Sequence, residues 1–242
     1  MRLDLYLVAN HFSKTRSQAL DLIKRGFIFV NNKNILKPAY QVQDNDLVVC
    51  RAEKTYVSKG AYKLLKIQQI INYDFAHKII LDLGSSTGGF SDVCLQSQAT
   101  KVYCVDVAKN ILDLKIKNDS RVIAFENTNI KDLNKLPIGH EVDTIVADLS
   151  FISLSFAFEA IKHLRHAGLD LIWLIKPQFE ATPEIMHACK GVLKDRVLHN
   201  KIIEKIKTLA AQHGFTYKTH VPVDVFDVKK QNQEYMIYFT YA

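Results

Sequence analysis

Short apolar runs alternate with segments of helical periodicity through most of this 242-residue chain. The runs sit in KIILDLG, KVYCVDV, RVIAFEN, VDTIVADL and LDLIWLIK, and amphipathic stretches such as LLKIQQIINY separate them. Strands without a polar face need cover on both sides, so this alternation predicts an α/β fold with a largely parallel sheet between helices. TYKTHVPV and EYMIYFTYA follow as two more strands, the last expected to run antiparallel within the sheet. A hydrophobic content of 48% is enough to fill such a core.

The first part of the chain has a different character, which predicts a small α+β domain over residues 1–50, a polar linker over 51–57 and the α/β domain over 58–242. Residues 14–25 have the spacing of a helix, with Ser13 as its expected N-cap and Gly26 as its stop. Residues 27–30 and 47–50 read as strands, and Asn31-Asn32 as a turn. Residues 1–56 hold nine Lys or Arg against five Asp or Glu, so they contribute +4 of the chain's net +7. Such a surface suits a polyanion, although helix ends favour cations for their own reasons. Cys50, Cys94, Cys104 and Cys189 show no metal-ligand spacing, so no metal is expected and the thiols read as reduced. No run approaches the ~18 apolar residues of a membrane span, and Asp4 and Asn10 interrupt any leader-like segment. These features predict a cytoplasmic protein with no membrane partner.

KIILDL runs into Gly84-Ser85-Ser86-Thr87-Gly88-Gly89-Phe90 just before a helical pattern. Glycines at such a turn let a ligand approach the backbone, and a helix start offers free N–H groups. KVYCVDV places Asp106 where an acid can accept from ribose hydroxyls, or alternatively where it could cap a following helix. The functional crevice of a parallel sheet lies beyond the strand C-termini. Asp148 and Lys176 each close an apolar run and should therefore sit on that rim. A lysine directly after residues 171–175 is costly to bury charged, which suits an amine that accepts a proton. Lys63, near the start of the helix preceding the first strand, and Glu234, at the start of the last strand, should open onto the same rim. Lys59 and Lys66 read as a solvated face.

DLGSSTGGF resembles the S-adenosylmethionine-binding loop of class I methyltransferases. That resemblance implies a Rossmann-like fold binding S-adenosyl-L-methionine, with Gly84, Ser86 and Gly88 lining its methionine end and Asp82, Thr87, Gly89, Phe90 and Asp148 also in contact with the cofactor. It places Asp106 at the ribose, with Asn127, Thr128 and Asn129 beside the adenine. RLDLYLVAN, TRSQALDLIKRGFIFVNN and KPAYQVQDNDLVV together resemble an S4 RNA-binding domain, implying RNA contacts by Arg2, Lys14, Arg16, Lys24 and Arg25. YVSKGAYKL, ADLSFISL, LIKPQFE and NQEYMIYF are similar to the bacterial hemolysin A (TlyA) family of ribosomal RNA methyltransferases, whose catalytic part is FtsJ-like. The family's Lys-Asp-Lys-Glu tetrad falls on Lys63, Asp148, Lys176 and Glu234. Residues 228–234 lack a glycine that the family often shows there. The implied reaction is 2′-O-methylation of a cytidine in ribosomal RNA. The chain resembles the shorter members, which are associated with the large subunit alone. The competing readings are an RNA-binding ribosome assembly factor on a degenerate methyltransferase fold, and a membrane-lytic protein.

Overall fold

A computed structural model describes residues 1–51, 56–223 and 231–242, which part into two units, Met1–Lys59 and Gly60–Ala242. In the first, helices α1 (Leu3–Ala9) and α2 (Arg16–Lys24) bury Leu3, Leu7, Ala19, Leu22 and Ile23 against a small antiparallel sheet. The strands are β1 (Ile28–Val30), β2 (Lys33–Asn34) and β3 (Val48–Cys50), in the order β2-β1-β3. Asn31 and Asn32 both take positive φ, +49° and +63°, which is the conformation a two-residue hairpin between β1 and β2 demands. The expected Ser13 cap is not used. Thr15 caps α2 instead, because Gln18 three residues on closes a reciprocal capping box with it. The expected linker 51–57 lies partly outside the described residues. At its far end Val57 O accepts from Gln18 Nε2 of α2 at 3.3 Å.

The second unit begins with α3 (Gly60–Ile71), β4 (Ile79–Leu83), α4 (Gly89–Gln96) and β5 (Lys101–Val105). It continues through α5 (Leu114–Lys117), β6 (Val122–Phe125), β7 (Thr144–Ala147), α6 (Leu154–Ala160), β8 (Asp170–Ile175), α7 (Pro177–Glu180) and α8 (Pro183–Ala188). The long α9 (Arg196–Gln212), β9 (Phe215–Pro222) and β10 (Tyr235–Tyr241) complete it. The sheet order is β6-β5-β4-β7-β8-β10-β9, with β4 to β8 parallel and β10 antiparallel to both its neighbours. This is the mostly parallel, Rossmann-like arrangement the apolar runs predict.

Apolar burial holds the sheet on both faces: every residue of β7 is buried, and Trp173 of β8 packs 4.6 Å from Phe158 of α6. At the end of the sheet where β7 and β8 begin, the Tyr73 hydroxyl bonds Thr144 at 2.6 Å and Asp170 at 2.5 Å. Tyr238 also donates to Asp170, so three strands are tied at that end. The order in which strands are added reverses between β4 and β7, the place where a crevice opens beyond strand C-termini. Cys94 and Cys104 are buried free thiols, whereas Cys50 and Cys189 are only half-buried.

Candidate active site

The turn after β4 is built from backbone that other residues could not easily supply. Gly84 has φ +77°, and a Cβ there would lie 2.9 Å from the Asp148 carbonyl oxygen. Gly88 has φ +91°, and a Cβ there would lie 2.9 Å from an Ile116 side-chain carbon and 3.0 Å from one of Leu112. Between them Ser86 adopts φ +50°, and both Ser86 and Thr87 are exposed, while Gly89 and Phe90 are buried at the start of α4. Asp106 caps no helix. Its Oδ2 accepts from the Ser86 N–H at 2.8 Å and its Oδ1 from Ala108 N–H, so it braces the turn from across the crevice. Thr128 N–H donates to Asp106 O and Asn127 N–H to Ala108 O, which stitches the segment after β6 to the same place. The Asn129 side chain is taken up in capping the 3-10 turn Ile130–Lys135.

Asp82 sits beneath the turn and faces into the fold. It is 1% exposed and accepts from both Ser91 N–H (3.0 Å) and Ser91 Oγ (2.6 Å) at the start of α4. Burial pushes its carboxyl up to about 7 despite the Ser91 bonds, and the nearby Asp148 and Asp106 charges add to the rise.

The four charged groups expected on the rim do meet there. Asp148 follows β7, with its N–H bonded to Leu83 O, and Lys176 follows β8. Because Tyr235 pairs with Ile175, antiparallel β10 brings Glu234 alongside Lys176 at the strand ends. Lys63, in the first turns of α3, completes the set. Its Nζ lies 3.2 Å from Asp148 Oδ2 and 2.8 Å from Glu234 Oε2, and Lys176 Nζ lies 2.6 Å from Asp148 Oδ1. A continuous chain of ion pairs results: Glu234–Lys63–Asp148–Lys176. Burial acts to lower the Lys63 ammonium's pKa, but the charges of Asp148 and Glu234 outweigh it and the net shift is upward.

Sequence reasoning missed the Ser150 hydroxyl, which accepts from Lys176 Nζ at 2.7 Å, and the Phe179 ring beneath that amine, 5.7 Å away. It also missed Phe151, 90% exposed with φ +63° and packed 4.9 Å from Phe179. Their signal was proximity: Ser150 and Phe151 directly follow the strand-end Asp148, and Phe179 lies in the turn after Lys176. Residues 228–230, whose lack of glycine bears on Glu234, lie outside the described residues.

In the N-terminal unit, Lys14 and Lys24 are exposed and Arg25 pairs with Asp21 at 3.0 Å. Arg2 and Arg16 both bind the buried Asp4, at 3.0 and 2.8 Å. Among the described residues no group of His, Cys, Asp and Glu could hold a metal ion, and no helix is long and apolar enough to cross a membrane.

The sheet order and the glycine turn define a Rossmann-like methyltransferase fold, with charged side chains gathered at its rim. The chain belongs to the FtsJ-like methyltransferase family, which it matches over residues 56–241, and residues 1–48 match the S4 domain. It is 35% identical to Hemolysin A of Brachyspira hyodysenteriae over 245 residues, 99% of each chain. It is 38% identical to the 16S/23S rRNA (cytidine-2'-O)-methyltransferase TlyA of Mycobacterium tuberculosis over 181 residues, 74% of this chain and 68% of that one. Over 257 residues, 99% of each chain, it is 31% identical to the 23S rRNA (cytidine-2'-O)-methyltransferase TlyA of Campylobacter jejuni.

Proposed function

We propose that this chain transfers a methyl group from S-adenosylmethionine to the ribose 2′-oxygen of a cytidine in large-subunit ribosomal RNA, acting in the cytoplasm. The ion-pair chain Glu234–Lys63–Asp148–Lys176 at the strand ends is the observation that carries this reading. The substrate class follows the two TlyA relatives, whose names share the 23S cytidine ribose. The turn fits an adenosyl cofactor. Its backbone is open at Ser86 and Thr87, and Asp106 braces it with oxygens that can accept further bonds. When bound, the cofactor supplies an electrophilic methyl group on a sulfonium.

The protein's task is to align the ribose hydroxyl and remove its proton. Two directions around Lys176 Nζ are occupied by Asp148 and Ser150, which leaves a third for the hydroxyl. Neutral Lys176 takes the proton. Lys63 remains an ammonium held by two carboxylates, and Asp148 is shared between the two amines. Lys63 and Glu234 then position the ribose.

Single-turnover transfer to ribosomal RNA tests these roles. Lys176→Ala should slow transfer by about a hundredfold or more, since general base catalysis contributes ~10²–10⁴, while cofactor affinity stays near wild type. A variant rate within about threefold of wild type would remove Lys176 from the proton-accepting role. A wild-type chain that binds cofactor and RNA but transfers nothing would instead be an assembly factor.

A further inference from the structure

The N-terminal unit places one carboxylate where the pattern of α1 calls for an apolar side chain. Asp4 stands between the core residues Leu3 and Leu7 and is itself fully buried. Its Oδ1 accepts from Arg2 Nε at 3.0 Å, while Oδ2 accepts from Arg2 Nη2 at 3.1 Å and from Arg16 Nε at 2.8 Å. The two arginines come from different elements: Arg2 is the N-cap of α1 and Arg16 the first residue of α2. Arg2 is also fixed by backbone pairing with Gln41.

An unpaired carboxylate would be expensive at this depth, so two cations are needed to hold it. The reverse also holds. The carboxylate engages the Nε side of each guanidinium, and the outer donors, Arg2 Nη1 and both Nη groups of Arg16, hydrogen-bond to no other side chain or backbone group among the described residues. The two side chains remain 41% and 56% exposed. A guanidinium gripped along one edge offers its other edge in a fixed orientation, which suits phosphate oxygens and spares the entropy of ordering a free arginine.

We propose that Asp4 is a positioning residue that orders Arg2 and Arg16 into a paired guanidinium clamp for RNA phosphates. The inference rests on the reading of this unit as RNA-binding, and gives that reading a geometry. The Arg2 hydrogen bonds hold the Asp4 carboxyl down at about 2 against its burial, so near neutral pH Asp4 is ionised and holds both arginines.

The prediction runs against net charge. Asp4→Asn makes the chain more positive by one unit, and a surface acting by charge alone would bind RNA more tightly. The clamp requires weaker binding. Titration of a labelled large-subunit ribosomal RNA transcript with the full chain, between ~50 and ~200 mM salt, separates the two. Asp4→Asn should bind about tenfold or more weakly, and the slope of log affinity against log salt should become shallower by about one to two units, because up to two ordered phosphate contacts are lost. Arg16→Lys tests the same point with charge unchanged and a mostly exposed side chain, so its fold is secure. Lysine cannot grip carboxylate and phosphate by separate edges, and about a fivefold loss is expected. Wild-type affinity and slope in both variants would overturn the clamp. Absence of salt-dependent RNA binding by the wild-type chain would instead overturn the RNA reading of the unit, and the clamp with it.

Discussion

Asp82 and Asp148 lie one strand apart and do opposite things. Asp148 faces two lysines, while Asp82 is closed off beneath the glycine turn, where burial raises it to about 7 from the ordinary 3.8. Between those two values the folded chain holds a proton that the unfolded chain has released. Stability contributed by this group is therefore present below about pH 4 and falls as pH rises through about 7. Asp82→Asn can still accept the Ser91 bonds through its amide oxygen, and should remove that component. Thermal melts at pH 5 and pH 8 should show a larger drop for the wild type than for the variant, and parallel drops would mean that Asp82 is not the group responsible. The sequence made Asp148, Lys176, Lys63 and Glu234 visible because each stands at an element end and matches a family pattern. Ser150 beside Lys176, and Asp4 between Arg2 and Arg16, were not visible. Such pairings depend on which side chains the fold brings together, and Asp4 is 12 positions from Arg16.

Secondary elements were more legible where burial dictates the pattern. The parallel strands are apolar on both faces and so announce themselves, whereas the edge strand β2 is two exposed polar residues, Lys33 and Asn34, paired with β1 and held by Asn34 side-chain bonds to Gly26 O and Ile28 O. The start of α2 was readable in principle: Thr15 followed by Gln18 is a capping-box spacing, and Ser13 has no such partner. The sequence predicts a ligand loop at the glycine turn, but the packing purpose of that turn was not legible. Gly84 lets β4 and β7 approach, because a side chain there would strike the backbone of Asp148, which cannot move without shifting the rim. Gly84→Ala should cost about 1–3 kcal/mol and weaken cofactor binding with it. Gly168 is the control. It has φ +90° with nothing within 4 Å of a Cβ, so alanine there should cost only about 1–2 kcal/mol of backbone strain and leave cofactor affinity unchanged. Differential scanning calorimetry and cofactor titration of both variants read this out, and equal cofactor loss in the two would refute the close-approach argument.

At the scale of the whole molecule, each unit has its own core, and the two carry different chemistry: a basic α+β module and a sheet whose rim gathers two lysines and two acidic side chains. The change in sequence character and the +4 carried by residues 1–56 are what the expectation of two domains rested on. The measurement that bears most directly on the account is incubation of the purified chain with methyl-labelled S-adenosylmethionine and each ribosomal subunit separately, followed by mapping of the labelled nucleotide. The account predicts label in large-subunit RNA as 2′-O-methylcytidine, with little in the small subunit. Label on a base, or on a ribose other than cytidine's, would contradict it.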